Sequence, residues 1–150
     1  MMSRQLIVCQ IGEGFVGLST MAIREIRAWT PTTLLPQAPP HVRGVVNLRG
    51  TVLPVVDLSA RLGWGLTEPS GRHVIVVVEI ADELQGFIVD GVSDIVTVSD
   101  DAMQPPPSIG ETGATHFLEG VATVADSMVM VLNLDALACR ESGLELPEAA

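Results

Sequence analysis

Three histidines, two cysteines and eighteen acidic residues are the raw material for chemistry in this chain. His41, His73 and His116 stand far from one another. None has a second His, Cys, Asp or Glu at the spacing a zinc site needs. There is no G-x-S-x-G nucleophile elbow. Cys9 lies in an apolar run and reads as a small buried hydrophobe, and nothing in the spacing pairs it with Cys139. Residues 12–17 read GEGFVG, a formal G-x-G-x-x-G. A dinucleotide site would need a βαβ unit and an acid about 20 residues on. No acid lies between Glu25 and Asp57, so Gly12-Glu13-Gly14 reads as a hairpin loop. Asp90-Gly91 reads as a turn, Asp94, Asp100 and Asp101 miss the calcium-loop pattern, and Ser99-Asp100-Asp101 reads as a cap or solvated loop. One chemical alternative stays open: a small β-barrel enzyme or ligand carrier whose site gathers the scattered His73, His116 and Asp90. Otherwise the expectation is no catalytic residue, no metal and no cofactor. The protein's work is then contact, and its informative residues are exposed and near hairpin turns. Arg49, in VVNLRGTVLPVVDL, is the most conspicuous of these.

The elements that must position such residues are short. Apolar runs recur at Leu6–Ile11, Phe15–Leu18, Val45–Leu48, Val52–Val56, Val74–Ile80, Phe87–Val89, Ile95–Val98, Val121–Val124 and Met128–Leu134, with turn residues between them. That spacing predicts an all-β sandwich or barrel. Short helices are expected near Thr20–Ile26, near Pro40–Arg43 and at Asp135–Cys139, and residues 140–150 read as a flexible tail. Pro54, with no N–H to give a ladder, is expected at a strand edge or bulge.

At 150 residues and 47% hydrophobic, the chain can build one ordinary domain or two small lobes on a shared core. No stretch of about 18 apolar residues predicts a membrane span, and the N-terminus does not read as a signal peptide. Both point to the cytoplasm. All eight basic residues are arginine. Residues 1–72 hold seven of them against four acids, and residues 73–150 hold one against fourteen, which gives +3 and −13. A modest positive half without a basic run is a poor nucleic-acid footprint. The asymmetry reads either as two unlike faces for two unlike partners or simply as a solvated acidic surface.

The chain also repeats itself. GVVNLRGTVLPVVDLSA (Gly44–Ala60), moved by 76, lies on GVATVADSMVMVLNLDA (Gly120–Ala136) without a gap. GFVGLSTMAI (Gly14–Ile23), moved by 72, lies on GFIVDGVSDI (Gly86–Ile95). The physical reading is two similar small barrels on one core.

LPQAPPHVRGVVNLRGTVLPVVDL, Leu35 to Leu58, closely resembles the signature of the CheW family of bacterial chemotaxis coupling proteins. AIREIR (Ala22–Arg27), GFIVDGVSDIVTV (Gly86–Val98) and FLEGVATVADSMVMVLNLDAL (Phe117–Leu137) match further segments, so the resemblance spans about residues 5–139. It implies two five-stranded SH3-like β-barrels around a common hydrophobic core, with short helices. The expected lobes are residues 12–66 and 67–139, with an N-terminal strand at 4–11 as an optional member of the second.

The resemblance also implies a non-enzymatic adaptor. Its partners would be the cytoplasmic tip of a chemoreceptor and the regulatory domain of the histidine kinase CheA, in arrays at the inner face of the membrane. The receptor-facing groove between the lobes would involve Ile23, Glu25, Gly44, Asn47, Arg49 and Gly86. Glu25 and Arg49 match a Glu–Arg pair placed near that groove. Gly50 would let the turn close, and Gly44 would let a partner backbone approach. The kinase-facing surface would lie mainly on the second lobe, with no residues assigned. With no receiver, phosphotransfer or ATP-binding segment, neither a two-domain coupler nor a whole kinase is expected. The polar segment Trp29–Thr33 has no assigned role.

Overall fold

A computed structural model describes residues 3–34, 36–68, 70–105, 117–124 and 126–137. Among the described residues eleven strands form: β1 (Ser3–Ile11), β2 (Gly14–Ser19), β3 (Ile23–Ala28), β4 (Val42–Leu48), β5 (Thr51–Asp57), β6 (Val74–Ile80), β7 (Glu83–Val89), β8 (Gly91–Ser99), β9 (Met103–Gln104), β10 (Leu118–Val124) and β11 (Ser127–Leu132). Two single-turn helices, α1 (Leu58–Arg61) and α2 (Leu134–Leu137), follow β5 and β11. The strands make two sheets, ordered β3-β6-β7-β5-β4 and β8-β1-β2-β11-β10-β9.

Strand β6, VIVVVEI, shows why the apolar runs are unbroken. Ile75 and Val77 face one way, into the first lobe with Leu48, Leu53, Val55 and Ile88. Val76, Val78 and Ile80 face the other way, into a shared core with Ile7, Cys9, Val16, Leu18 and Phe87. A strand buried on both faces has no polar alternation to show. Leu6, Val98, Ala122 and Val131 fill the second lobe.

The sheets redraw the expected lobes. β2 belongs with the second lobe, while β6 and β7 belong with the first. The duplication shows why. Val77 lies opposite Gly86 and Ile80 opposite Glu83; Val8 lies opposite Gly17 and Ile11 opposite Gly14. Each member differs by 69, so Gly17, not Gly14, is the counterpart of Gly86. The other hairpin keeps the expected shift of 76: β4–β5 and β10–β11 share a bulge, at Val42/Gly44 and at Leu118/Gly120. The edge strands match too, since bulges place Glu25 opposite Val77 and Asp94 opposite Val8. The chain therefore folds the same barrel twice, with each lobe's central hairpin supplied from the other side of the sequence.

Three local expectations change. Thr20–Ile26 is not a helix: a 3-10 turn covers Thr20–Ala22, and β3 begins at Ile23. Ser19 Oγ accepts the Met21 N–H (3.3 Å) and stops β2 there. Residues near Pro40–Arg43 make a turn into β4 rather than a helix. Pro54 lies in an internal strand and away from the bulge. Val45, opposite Pro54, exchanges both its backbone bonds with Thr33 (2.9 and 2.9 Å), so the Val45–Pro54 pair needs no bond between β4 and β5. On the β7 side, pairing begins only at Val55. The missing N–H is therefore asked for on neither side. Of the Asp135–Cys139 helix, Leu134–Leu137 is helical; its end and the 140–150 tail lie outside the described residues.

Candidate docking site

Leu48 pairs with Thr51, which leaves Arg49-Gly50 as a two-residue turn. Both residues have positive φ, +51° and +90°. Such primed turns match the twist of the flanking strands and favour Asn-Gly. Gly50 has this conformation at no steric cost, whereas an arginine held there costs about 1–2 kcal/mol. Asn47 Oδ1 accepts the Gly50 N–H (2.8 Å) and holds the turn closed.

The Arg49 side chain is 73% exposed and reaches back to β3, where its Nη2 donates to Glu25 Oε1 (2.8 Å). Arg27 Nη1 donates to the other oxygen, Glu25 Oε2 (2.9 Å). The hydrogen bonds from Arg49 and then Arg27 hold the Glu25 carboxyl below the usual carboxylate range. Strands β3 and β4 are the two edges of the five-stranded sheet. The Glu25–Arg49 pair therefore ties one edge to the turn that ends the other. Two guanidinium groups on one carboxylate leave a net positive, donor-rich point on a chain of net charge −10.

The remaining expected site residues separate into surface and interior. Ile23 is half-buried against the shared core. Gly86 is buried, and a Cβ there would meet Ile75 Cγ2 at 2.8 Å. Gly44 is buried at φ +144°, and a Cβ would meet Thr33 O at 2.2 Å. The backbone that approaches Gly44 is thus the chain's own. Glu25, Asn47 and Arg49 come together at the surface; Gly44 and Gly86 shape what lies beneath.

Sequence reasoning missed Arg27, although the alternation in AIREIR places it two residues from Glu25 on one strand face. It also assigned nothing to Trp29–Thr33. Trp29 packs into the first lobe, and Thr32 Oγ1 donates to Arg43 O (3.0 Å). The segment covers the edge of β4 and lines a shallow depression of about 330 Å³ with Val45, Asn47 and Val52.

The second lobe carries an apolar groove of about 380 Å³, lined by Phe15, Leu118, Val121, Met128 and Met130, with Glu13 at its rim. Trp64, from the loop after α1, stands beside Gly14 and Met130 at its end. Met128 is 67% exposed and Val52, its counterpart 76 residues earlier, is 59% exposed.

His73 and Asp90 do meet: His73 Nε2 lies 3.3 Å from Asp90 Oδ1. The Ser70 N–H donates to His73 Nδ1 (3.0 Å), which puts the ring proton on Nε2, facing Asp90. The Ser70 hydroxyl is 3.3 Å from the same Nδ1. That nitrogen's one lone pair is already taken by the amide, so it is a poor base for Ser70. Asp90 Oδ2 accepts the Gly12 N–H (2.7 Å) from the β1–β2 turn. The arrangement clips the two lobes together. His116 lies outside the described residues. Among the described residues, no cluster of three or more His, Cys, Asp or Glu is placed to hold a metal, and no helix is long and apolar enough to cross a membrane.

Comparison with known proteins agrees with this geometry. Residues 5–141 match the CheW-like domain. The chain is 46% identical to the chemotaxis protein CheW of Rhizobium meliloti over 134 residues, 89% of this chain and 86% of that one. It is 25% identical to the CheW of Klebsiella aerogenes over 138 residues, 92% and 83% of the two chains. The crystal structure of the scaffolding protein TtCheW from Thermoanaerobacter tengcongensis superposes with a TM-score of 0.82, at 31% identity, covering 91% of this chain and 88% of that one. With its paired SH3-like β-barrel lobes on a shared core, the chain belongs to the CheW-like family.

Proposed function

We propose that this chain is a chemotaxis coupling protein, a non-enzymatic adaptor in the cytoplasm. It joins the cytoplasmic tip of a chemoreceptor to the regulatory domain of the kinase CheA, in arrays at the inner face of the membrane. The observation that carries the reading is Arg49, held in a left-handed turn and aimed by Glu25. Exposed ion pairs add little to stability, so a strained arginine is better explained by what it presents than by what it holds. A planar group with several donors, oriented by a carboxylate, suits the polar flank of a helical receptor tip. Glu25, Asn47 and Arg49 form the exposed part of the receptor face, with Ile23 beside them. Gly44 and Gly86 support it from within. The kinase meets the second lobe, at the apolar groove around Phe15 and Met128.

Calorimetric titration of Arg49→Glu against a receptor cytoplasmic fragment and, separately, against the CheA regulatory domain tests this. The variant is expected to keep its fold and its kinase binding and to lose receptor binding. Receptor affinity equal to that of the unaltered protein, in a folded variant, overturns the assignment of the receptor face.

A further inference from the structure

The outward side chains of β11 run from Leu132 in the shared core, through half-buried Met130, to exposed Met128. The counterparts in the first lobe are Val56, Pro54 and Val52, which carry no sulfur. A thioether is as apolar and adaptable as a docking groove needs. It is also the one side-chain type in this groove that a mild oxidant makes polar.

The described methionines differ in access. Met103 packs inside the second lobe, and Met130 is half-buried against the core. Met21 is 86% exposed, but it stands on the 3-10 turn and not in the groove. Cys9 is buried, and burial pushes its thiol up to about 12, so it does not compete for oxidant.

We propose that Met128 is an oxidation site, and that its sulfoxide weakens docking at the second-lobe groove; this rests on the kinase-facing reading above. In the step, the sulfur lone pair attacks an oxygen of hydrogen peroxide and the O–O bond breaks. An S=O bond forms, the proton on the transferred oxygen passes to the leaving oxygen, and water departs. Sulfur gives up two electrons and the peroxide gains them. The product puts a strong acceptor where a partner's apolar surface must close, and covering an acceptor without a donor is unfavourable. The expected loss of affinity is about tenfold, equivalent to 1.4 kcal/mol. Reduction of the sulfoxide restores the groove.

The full-length protein is treated with hydrogen peroxide until peptide mass spectrometry shows Met128 converted, then titrated with the CheA regulatory domain. The expected result is about tenfold weaker binding after conversion, whereas Met128→Leu, whatever its starting affinity, loses none of it on the same peroxide treatment. Met21→Leu should stay sensitive, and Met128→Gln should bind weakly without oxidant. Unchanged affinity after conversion, or equal sensitivity in Met128→Leu, overturns this inference alone. Absence of binding by the untreated protein overturns the kinase reading and this inference with it.

Discussion

Arg49→Asn separates a docking arginine from a structural one. Arg49 has φ +51° and leads into Gly50 at +90°. Asparagine enters the left-handed region far more readily than other side chains with a Cβ, so relief of backbone strain favours the variant by about 1 kcal/mol. The Asn47–Gly50 bond is untouched. The side chain removed is 73% exposed, so its ion pair with Glu25 is well screened and the backbone sets the sign. For a chain of this size, 1 kcal/mol raises Tm by about 2–4 °C. Thermal unfolding followed by circular dichroism measures this, and titration with the receptor fragment should show weaker binding by the same sample. A protein that is more stable and less able to dock is what the reasoning requires. A fall in stability of 1 kcal/mol or more would refute it: Arg49 would then be a tie between the β4–β5 turn and β3.

Three further outcomes follow from the same geometry. Gly44→Ala places a Cβ 2.2 Å from Thr33 O at a φ suited to glycine, so a loss of about 3 kcal/mol or more in urea unfolding is expected; a loss below 1 kcal/mol would show that Thr33 moves freely. Gly86→Ala drives a Cβ to 2.8 Å from Ile75 Cγ2 and should cost about 1–3 kcal/mol by overpacking, with receptor affinity of the folded fraction unchanged; a selective affinity loss would place Gly86 in the contact itself. Glu25 titrates below its ordinary 4.5 when folded, so its stabilising bonds are fully present above that value and fade as pH falls through the lower folded value. The stability advantage over Glu25→Gln should therefore be constant above pH 4.5 and shrink below it, and an advantage that grows on acidification would contradict the fork.

The strands were legible because each is a short apolar run closed by turn residues, and β6 was plainest because both its faces are buried. β3 was not. IREIRA alternates with period two, yet its half-exposed face leaves little apolar content, and Thr20–Ala22 does turn before it. The repeat was legible in β4–β5 and β10–β11, where the Gly44 and Gly120 bulges demand the same residue. A Cβ at Gly120 would meet Gln104 O at 2.9 Å, as one at Gly44 meets Thr33 O. The second block was misaligned by three residues because Gly14-Phe15 and Gly86-Phe87 look alike. What aligns them in space is pairing to β11 and β5, which only the sheets reveal. In the candidate docking site, Arg49 stood out in the sequence by its place at the turn, and the family resemblance named Glu25 beside it. Arg27 was passed over although strand alternation puts it beside Glu25, and Trp29–Thr33 needed coordinates because the segment packs on the first lobe and covers the edge of β4.

The duplication also shows where the two lobes differ in the chemistry that the proposed receptor face uses. The bulge that presents Glu25 recurs at Asp94, so the acid persists in both lobes. Its cationic partner does not: the position 76 beyond Arg49 is Ala125. Asp94 instead accepts the N–H of Ile95 (2.8 Å). Six of the eight arginines lie between residues 20 and 90, and Arg4 in the second lobe is held by Glu119 and Asp100 at 3.0 and 3.7 Å. One barrel thus offers oriented guanidinium groups, and the other an apolar groove rimmed by Glu13 and lined with methionine. Two copies of one fold with the same surface would bind the same partner twice. Under the proposed function, the cation at one hairpin turn and the thioethers on the corresponding strand of the other lobe are the differences that would let the two lobes take different partners.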